Sequence, residues 1–243
     1  MKTFEEKIEF TADSLPIKGV LHLPAPGSVH GTPPVVIGSH GLEGTKNSAK
    51  QIILSKLFPE NGIGFLRFDH RGCGKSKGDF LKDTTVPNRA EDIICAVQYL
   101  IESRHAPRKI GLFGSSLGGS ACIEAWNSIM DMNVKLSGIV ITAALVKSRS
   151  IENIPALPMN FVISNLDFNL FKKLPYLTNI LIFHGKADEI VPVENAHTIY
   201  ANAQEPKKLI LFKNGDHQTS AQKDQKIFEK ETIEWFCKVF NYD

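Results

Sequence analysis

From Pro34 onward the chain repeats one pattern: a short run apolar on both alternations, then a longer stretch suited to a helix. The runs are Pro34–Gly38, Gly64–Phe68, Lys109–Phe113, Leu136–Thr142, Asn179–Phe183 and Lys208–Phe212. Runs this brief, with apolar side chains on both sides, predict strands buried between two helix layers. Between and after them, helices are predicted near Ser48–Asn61, Asn88–Ser103, Ser116–Met130, Val193–Ala203 and Gln218–Phe240. Strand–helix alternation of this kind implies right-handed crossovers and a parallel sheet, hence an α/β fold. The N-terminal part differs. Phe4–Thr11 and Ile17–Leu23 read as two strands, and the alternation Lys7-Ile8-Glu9-Phe10 suits a half-exposed antiparallel pair.

Composition narrows the class. The 243 residues are 42% hydrophobic and 22% charged, a globular balance for one domain spanning 1–243. With 28 basic and 26 acidic residues the formal charge is +2, which gives no reason to expect nucleic acid or an anionic membrane as partner. Met1–Phe10 is charged and has no apolar run, so no signal peptide is expected there, and no stretch has the length of a membrane span. Cys73, Cys95, Cys122 and Cys237 are scattered without a C-x-x-C pair. Neither a zinc site nor a disulfide framework is indicated, and reduced thiols in a cytoplasmic protein without metal or cofactor are expected.

In a parallel sheet, chemistry sits at the carboxyl ends of the strands. Gly114-Ser115-Ser116-Leu117-Gly118 is a G-x-S-x-G motif that leaves such a strand and opens a helix. That is the context of a nucleophile elbow, with Ser116 at the helix N-terminus. A serine needs a base, and the base an orienting acid, in the chain order Ser, Asp or Glu, His. Asp188 follows the strand ending at Phe183, and His217 follows the strand ending at Phe212. Glu189 lies one place deeper in its turn, and Asp216 is adjacent to His217, where neighbouring side chains point apart. His184 reads as a packed core histidine. His22, His30, His105 and His197 read as surface or packing residues.

The oxyanion of an acyl-transfer intermediate needs two backbone N–H donors. Leu117, following the nucleophile, is one candidate, and Leu42, in the loop Ser39-His40-Gly41-Leu42-Glu43-Gly44, is the other. His40 and Gly41 are candidate substrate contacts, as are Phe161 and Phe168 further on. Gly74-Lys75-Ser76 invites a phosphate-loop reading, but the required glycine at position 69 is Asp69, so nucleotide binding is rejected. Asp69 and Arg71 are expected to form an ion-pair and turn network beside the active-site loops.

Together, His40-Gly41, Asp69-x-Arg71-Gly72-x-Gly74-x-Ser76, Gly114-x-Ser116-x-Gly118, Asp188-x-x-Val191-Pro192 and Gly215-x-His217 resemble the α/β-hydrolase superfamily. Within it they look like the cinnamoyl and feruloyl esterase branch and its serine-aminopeptidase-like relatives. The resemblance implies an eight-stranded, mostly parallel sheet with helices on both faces. It also implies hydrolysis of a small-molecule carboxylic ester through an acyl-enzyme: Ser116 as nucleophile, Asp188 as acid, His217 as base, Leu42 and Leu117 as oxyanion donors. A serine at 116 separates the chain from relatives with an aspartate or cysteine nucleophile. Thioester or amide hydrolysis uses the same triad, and a binding protein on this fold would not need to keep all three residues.

Esterases of that branch carry a substantial lid where this chain has only 143–178, a short cap or insert. Its apolar side chains, Phe161, Phe168 and Phe171 among them, are expected partly to cover the sheet and partly to roof an apolar pocket. A short roof closes a short pocket. p-Nitrophenyl acetate and butyrate are therefore expected to show higher kcat/KM than the decanoate, each accommodated methylene contributing about 0.8 kcal/mol. A kcat/KM that climbs through to palmitate would exclude a short pocket.

Overall fold

The computed structural model describes residues 3–148 and 165–241. Its elements are β1 (Phe4–Ala12), β2 (Leu15–Leu23), β3 (Val35–Ser39), α1 (Ala49–Glu60), β4 (Gly64–Phe68), α2 (Phe80–Asp83), α3 (Val86–Glu102), β5 (Lys109–Ser115), α4 (Leu117–Met130), β6 (Lys135–Thr142), β7 (Ile180–Gly185), α5 (Glu194–Asn202), β8 (Lys207–Phe212) and α6 (Gln222–Asn241). The strands form one eight-stranded sheet in the order β1-β2-β4-β3-β5-β6-β7-β8. β1 pairs antiparallel with β2, and β2 antiparallel with β4, while the remaining pairs are parallel. This is the α/β-hydrolase architecture.

The expected N-terminal pair is a hairpin closed by Asp13 and Ser14, both at positive φ (52° and 66°). Two left-handed residues in a two-residue loop match the twist of the flanking strands. β1 alternates exposed and buried positions toward its end, as an edge strand with one wet face should.

The central strands bury both faces because a helix layer covers each. Val35, Ile37, Leu66, Leu112, Ile139, Ile141 and Ile182 pack with α3, α4 and α5, centred on the buried Trp126. Their neighbours one step along the strand, Val36, Phe65, Phe113, Val140, Leu181 and Phe183, pack instead with α1 and α6 through Leu54, Phe58, Phe228 and Phe236. The period of two in the pleat thus sorts a continuous apolar run into two cores. α3 starts where Thr85 Oγ1 accepts the Asn88 N–H (3.1 Å), with Pro87 in the first turn. The four-residue α2, capped by Asp79, is not predicted by the apolar pattern, since none of its residues is buried.

Of the insert, residues 149–164 lie outside the described residues. The described remainder is tied to the core: Lys147 pairs with Asn169 in an isolated bridge, and Leu166, Leu170, Leu174 and Leu177 are buried.

The β5–α4 turn is the tightest junction in the fold. A Cβ on Gly114 would lie 2.5 Å from Gly119 Cα and 2.6 Å from Gly118 O, backbone atoms that cannot swing aside. Gly114→Ala is therefore expected to cost about 3 kcal/mol, an overpacking penalty, and to lower Tm by roughly 6–12 °C in a calorimetric scan.

Candidate active site

Ser116 stands at the end of β5 with φ 53° and ψ −125°, a left-handed conformation uncommon outside glycine. Neighbouring backbone enforces it. The Ser116 N–H donates to Thr142 O (2.8 Å), its carbonyl accepts from the Gly119 N–H (2.8 Å), and a Cβ on Gly118 would lie 2.3 Å from Ser39 O. The elbow is wedged between the ends of β3 and β6. Strain of this kind costs on the order of 1–3 kcal/mol and persists only where the surroundings over-determine it.

The loops after β7 and β8 are knit together by backbone. Lys186 N–H donates to Phe212 O (2.8 Å) and Ala187 N–H to Gly215 O (3.0 Å), and a Cβ on Gly185 would lie 2.1 Å from Gly215 O. That close approach brings two residues 29 positions apart into contact: His217 Nδ1 lies 2.9 and 3.1 Å from the two oxygens of Asp188. Asp188 Oδ1 also accepts the N–H groups of Ile190 (2.9 Å) and Val191 (2.8 Å). His184 Nε2, which donates to Val191 O (2.8 Å), lies 3.3 Å from Asp188 Oδ2. Burial by itself would raise the Asp188 carboxyl, but hydrogen bonds from His184, His217 and the Val191 N–H outweigh it and hold the group well below the usual carboxylate range. His184 is thus more than a packing residue, because it backs the acid. Asp216 turns into its own loop, accepting from Ser220 N–H (2.8 Å), and Glu189 accepts only the backbone N–H of His217 (3.4 Å).

The loop after β3 approaches Ser116 from the other side. A Cβ on Gly41 would lie 3.4 Å from Ser116 Cβ. The loop is held from behind by Arg89 of α3, which is fully buried. Its Nη1 donates to His40 O (2.9 Å) and Gly41 O (3.1 Å), and its Nη2 to Leu42 O (2.9 Å). Gly41 O further accepts from His40 Nδ1 (2.8 Å) and Gly44 N–H (3.1 Å). In a planar trans peptide the N–H opposes the C=O. Fixing the Gly41 carbonyl toward Arg89 therefore turns the Leu42 N–H to the opposite side of the loop. Leu117 is the first residue of α4, so its N–H has no partner within the helix.

His40 serves the frame. Its Nε2 accepts the His70 N–H (3.1 Å), which assigns the ring proton to Nδ1, and burial with His70 and Arg89 nearby keeps the ring neutral. Asp69 and Arg71 form the expected ion-pair and turn network, each with partners of its own. Asp69 receives the N–H groups of Lys46 and Lys75 (both 2.8 Å) and pairs with the Lys46 ammonium. Arg71 pairs with Asp92 (2.7 Å) and Asp13 (3.2 Å). One residue apart in the chain, their side chains leave the loop toward different elements.

A second Ser–His–Asp series is present: Ser39 Oγ lies 2.8 Å from His70 Nε2, and His70 Nδ1 3.1 Å from Asp92 Oδ2. All three residues are 0% exposed, whereas Ser116 is partly accessible. No sequence spacing announces this group, and no substrate reaches it. It braces the base of the loop that carries His40–Leu42.

Ser116, Leu117, His217, His40, Gly41 and Leu42 all line one cavity of about 620 Å³, a volume ordinary for a small-molecule site. Phe168 does not join them. It is partly buried against the core, and Phe161 lies outside the described residues. Lys50 and Gln51 of α1, together with Gln218, do line the cavity, and periodicity gave no sign of them. Among the described residues no cluster of His, Cys, Asp or Glu is arranged to hold a metal ion, and no helix is long and apolar enough to cross a membrane.

Known proteins carry the same frame. The Escherichia coli (strain K12) protein YfhR is 24% identical over 97% of this chain and 82% of its own. The mitochondrial palmitoyl-protein thioesterase ABHD10 of Mus musculus is 25% identical over 80% of this chain and 72% of its own. The crystal structure of the Pyrococcus furiosus esterase Pf2001 superposes with a TM-score of 0.78 at 19% identity, covering 97% of this chain and 93% of that one. The family described as serine aminopeptidase, S33, matches residues 32–174, more than half the chain. With its eight-stranded sheet and this match, the chain belongs to the serine aminopeptidase S33 family of hydrolases within the α/β-hydrolase superfamily.

Proposed function

We propose that this hydrolase cleaves carboxylic esters of small to medium acyl groups through an acyl-enzyme on Ser116. The observation that carries the reading is the Asp188–His217 pair, formed at the ends of adjacent strands and opening on the same cavity as the strained Ser116 elbow. Asp188 accepts from Nδ1 of His217, which fixes the tautomer with Nε2 free to take the Ser116 proton. The Ser116 oxygen then adds to the substrate carbonyl. The N–H groups of Leu42 and Leu117 receive the oxyanion, the first turned by Arg89 and the second supplied by the start of α4. Collapse of the intermediate expels the alcohol with the proton from His217, and water releases the acid by the same steps in reverse order. Thioester hydrolysis is a second reading, favoured by the likeness to the mouse palmitoyl-protein thioesterase. The same residues would serve it, with a thiol as leaving group. His40 and Gly41, which line the cavity, remain proposed substrate contacts, as does Phe161, which lies outside the described residues.

A fluorophosphonate probe is expected to label Ser116, read by mass spectrometry of the adduct. Ser116→Ala should abolish labelling and lower kcat by several orders of magnitude while keeping the thermal transition, because the triad works as a unit. An adduct on Ser115 instead would overturn the assignment.

Asp188→Asn tests the acid in two ways. Turnover should fall by about 10³-fold or more through loss of tautomer control. Stability should also become less pH-dependent. The native carboxyl is held below its unfolded value of 3.8, so its contribution is present above about pH 4 and lost as pH falls further. Urea midpoints at pH 7 should place the variant about 1–2 kcal/mol below the parent, with a narrower gap at pH 3 that shrinks further as the pH is lowered. Equal gaps at both pH values would mean that the native carboxyl is not depressed.

A further inference from the structure

The wall of the cavity formed by α1 does not look like an acyl-chain groove. Gln51 is 1% exposed, lines the cavity, and has no hydrogen-bond partner among the described residues at either Nε2 or Oε1. Leaving such an amide unmade costs on the order of 1–3 kcal/mol per group. The fold makes room for it at a further cost. A Cβ on Gly38 would lie 2.2 Å from Gln51 Oε1, so the central strand β3 carries a glycine where the amide sits. A buried polar group without a partner that faces a cavity calls for an explanation, and a ligand that completes it is one.

Beside it on the same helix, Lys50 also lines the cavity. Its ammonium donates to Gln218 O (2.6 Å), next to His217, and makes no ion pair among the described residues. Burial pushes the Lys50 ammonium down to about 8, while Asp216 and Asp188 act the other way, so it stays mostly charged at neutral pH. An ammonium has three donors; among the described residues one is hydrogen-bonded, to Gln218 O, and the Phe228 ring lies 6.0 Å from the ammonium. Glu43, the acidic residue among the cavity-lining side chains, is exposed.

We propose that Lys50 and Gln51 form a carboxylate subsite, making the preferred substrate an ester that bears a free carboxylate on its acyl or its alcohol part. The ammonium supplies the charge and two N–H donors, and the Gln51 amide a further donor from the buried side. This rests on the ester-hydrolase reading of Ser116 and adds the substrate class to it. Charge-assisted hydrogen bonds of this kind are roughly twice as strong as neutral ones, and in a partly desolvated cavity they discriminate against an isostere that leaves the donors unmade.

Two pairs of esters of equal chain length, each with a terminal carboxylate in one member and a methyl group in the other, test it by pH-stat titration at pH 7. Monomethyl glutarate against methyl valerate places the carboxylate on the acyl side. 3-Butyryloxypropanoate against propyl butyrate places it on the alcohol side. At least one carboxylate ester is expected to exceed its neutral partner tenfold or more in kcat/KM, and the pair that does so locates the subsite. In Lys50→Met that ratio should fall to one or below, and Gln51→Leu should lower it severalfold. Neutral esters preferred in both pairs, or a preference that survives Lys50→Met, would overturn the subsite. Fluorophosphonate labelling of Ser116 separates the two levels of failure. A protein that labels and cleaves methyl valerate without a carboxylate preference loses only the subsite. One that neither labels nor cleaves any of the four esters loses the ester-hydrolase reading and the subsite with it.

Discussion

A guanidinium that makes no ion pair among the described residues organises the region around Ser116. Arg89 is fully buried, and its recorded partners are three successive carbonyls and the thiol of Cys73 (3.6 Å). Burial costs an ion several kcal/mol, and it pulls the Arg89 guanidinium below its ordinary value. Hydrogen bonds to a charged donor contribute about 1.5–3 kcal/mol each, so three of them offset a cost of that size. The arrangement holds only while the loop from His40 to Leu42 keeps all three carbonyls turned inward. The ion thus trades its own solvation for a fixed loop, and a fixed loop has its Leu42 N–H fixed as well. Three residues along the same helix, Asp92 holds Arg71 and His70. One face of α3 therefore secures both the loop after β3 and the loop after β4.

The two Ser–His–Asp groups show that residue types and distances alone do not make a site. Ser39–His70–Asp92 matches a triad in its contacts, yet burial raises the Asp92 carboxyl and drives the His70 ring well below its ordinary value. A base so reluctant to protonate, out of reach of any substrate, is a strut. Around Asp188 the balance is opposite. Several hydrogen bonds converge on the carboxylate and keep it ionised, and its histidine faces a cavity. What separates a brace from a candidate catalytic group is access and the satisfaction of charge.

That distinction explains how far the sequence could be read. Strands β3 to β8 were legible because each is a short run apolar on both alternations, and a run buried on two faces has few other homes. The positions of Ser116, Asp188 and His217 followed from strand ends and chain order, which a parallel sheet converts into proximity. α2 was not legible, since a four-residue turn with no buried face has no apolar period. The ion-pair and turn network of Asp69 and Arg71 was legible, but its partners Lys46, Asp92 and Asp13 were not, since they lie 21 to 58 positions away. Arg89 and Gln51 left no sign in the pattern, and His184 read only as a packed core histidine, for a common reason. Each acts through atoms 4 to 49 positions away, or through the lack of a partner among the described residues, and neither leaves a mark on local periodicity.

His184 carries the argument one step further. Its Nε2 reaches both Val191 O and Asp188 Oδ2, which assigns the ring proton to that nitrogen and leaves Nδ1 buried without a partner among the described residues. The fold accepts one unsatisfied ring nitrogen to place a donor behind the acid. With His184 beneath Oδ2 and two backbone N–H groups on Oδ1, Asp188 is oriented before His217 arrives. A carboxylate held in this way cannot rotate to follow its histidine, so the imidazole must come to it Nδ1 first. On the proposed mechanism, the tautomer that frees Nε2 for the Ser116 proton is thus set by contacts on the far side of Asp188.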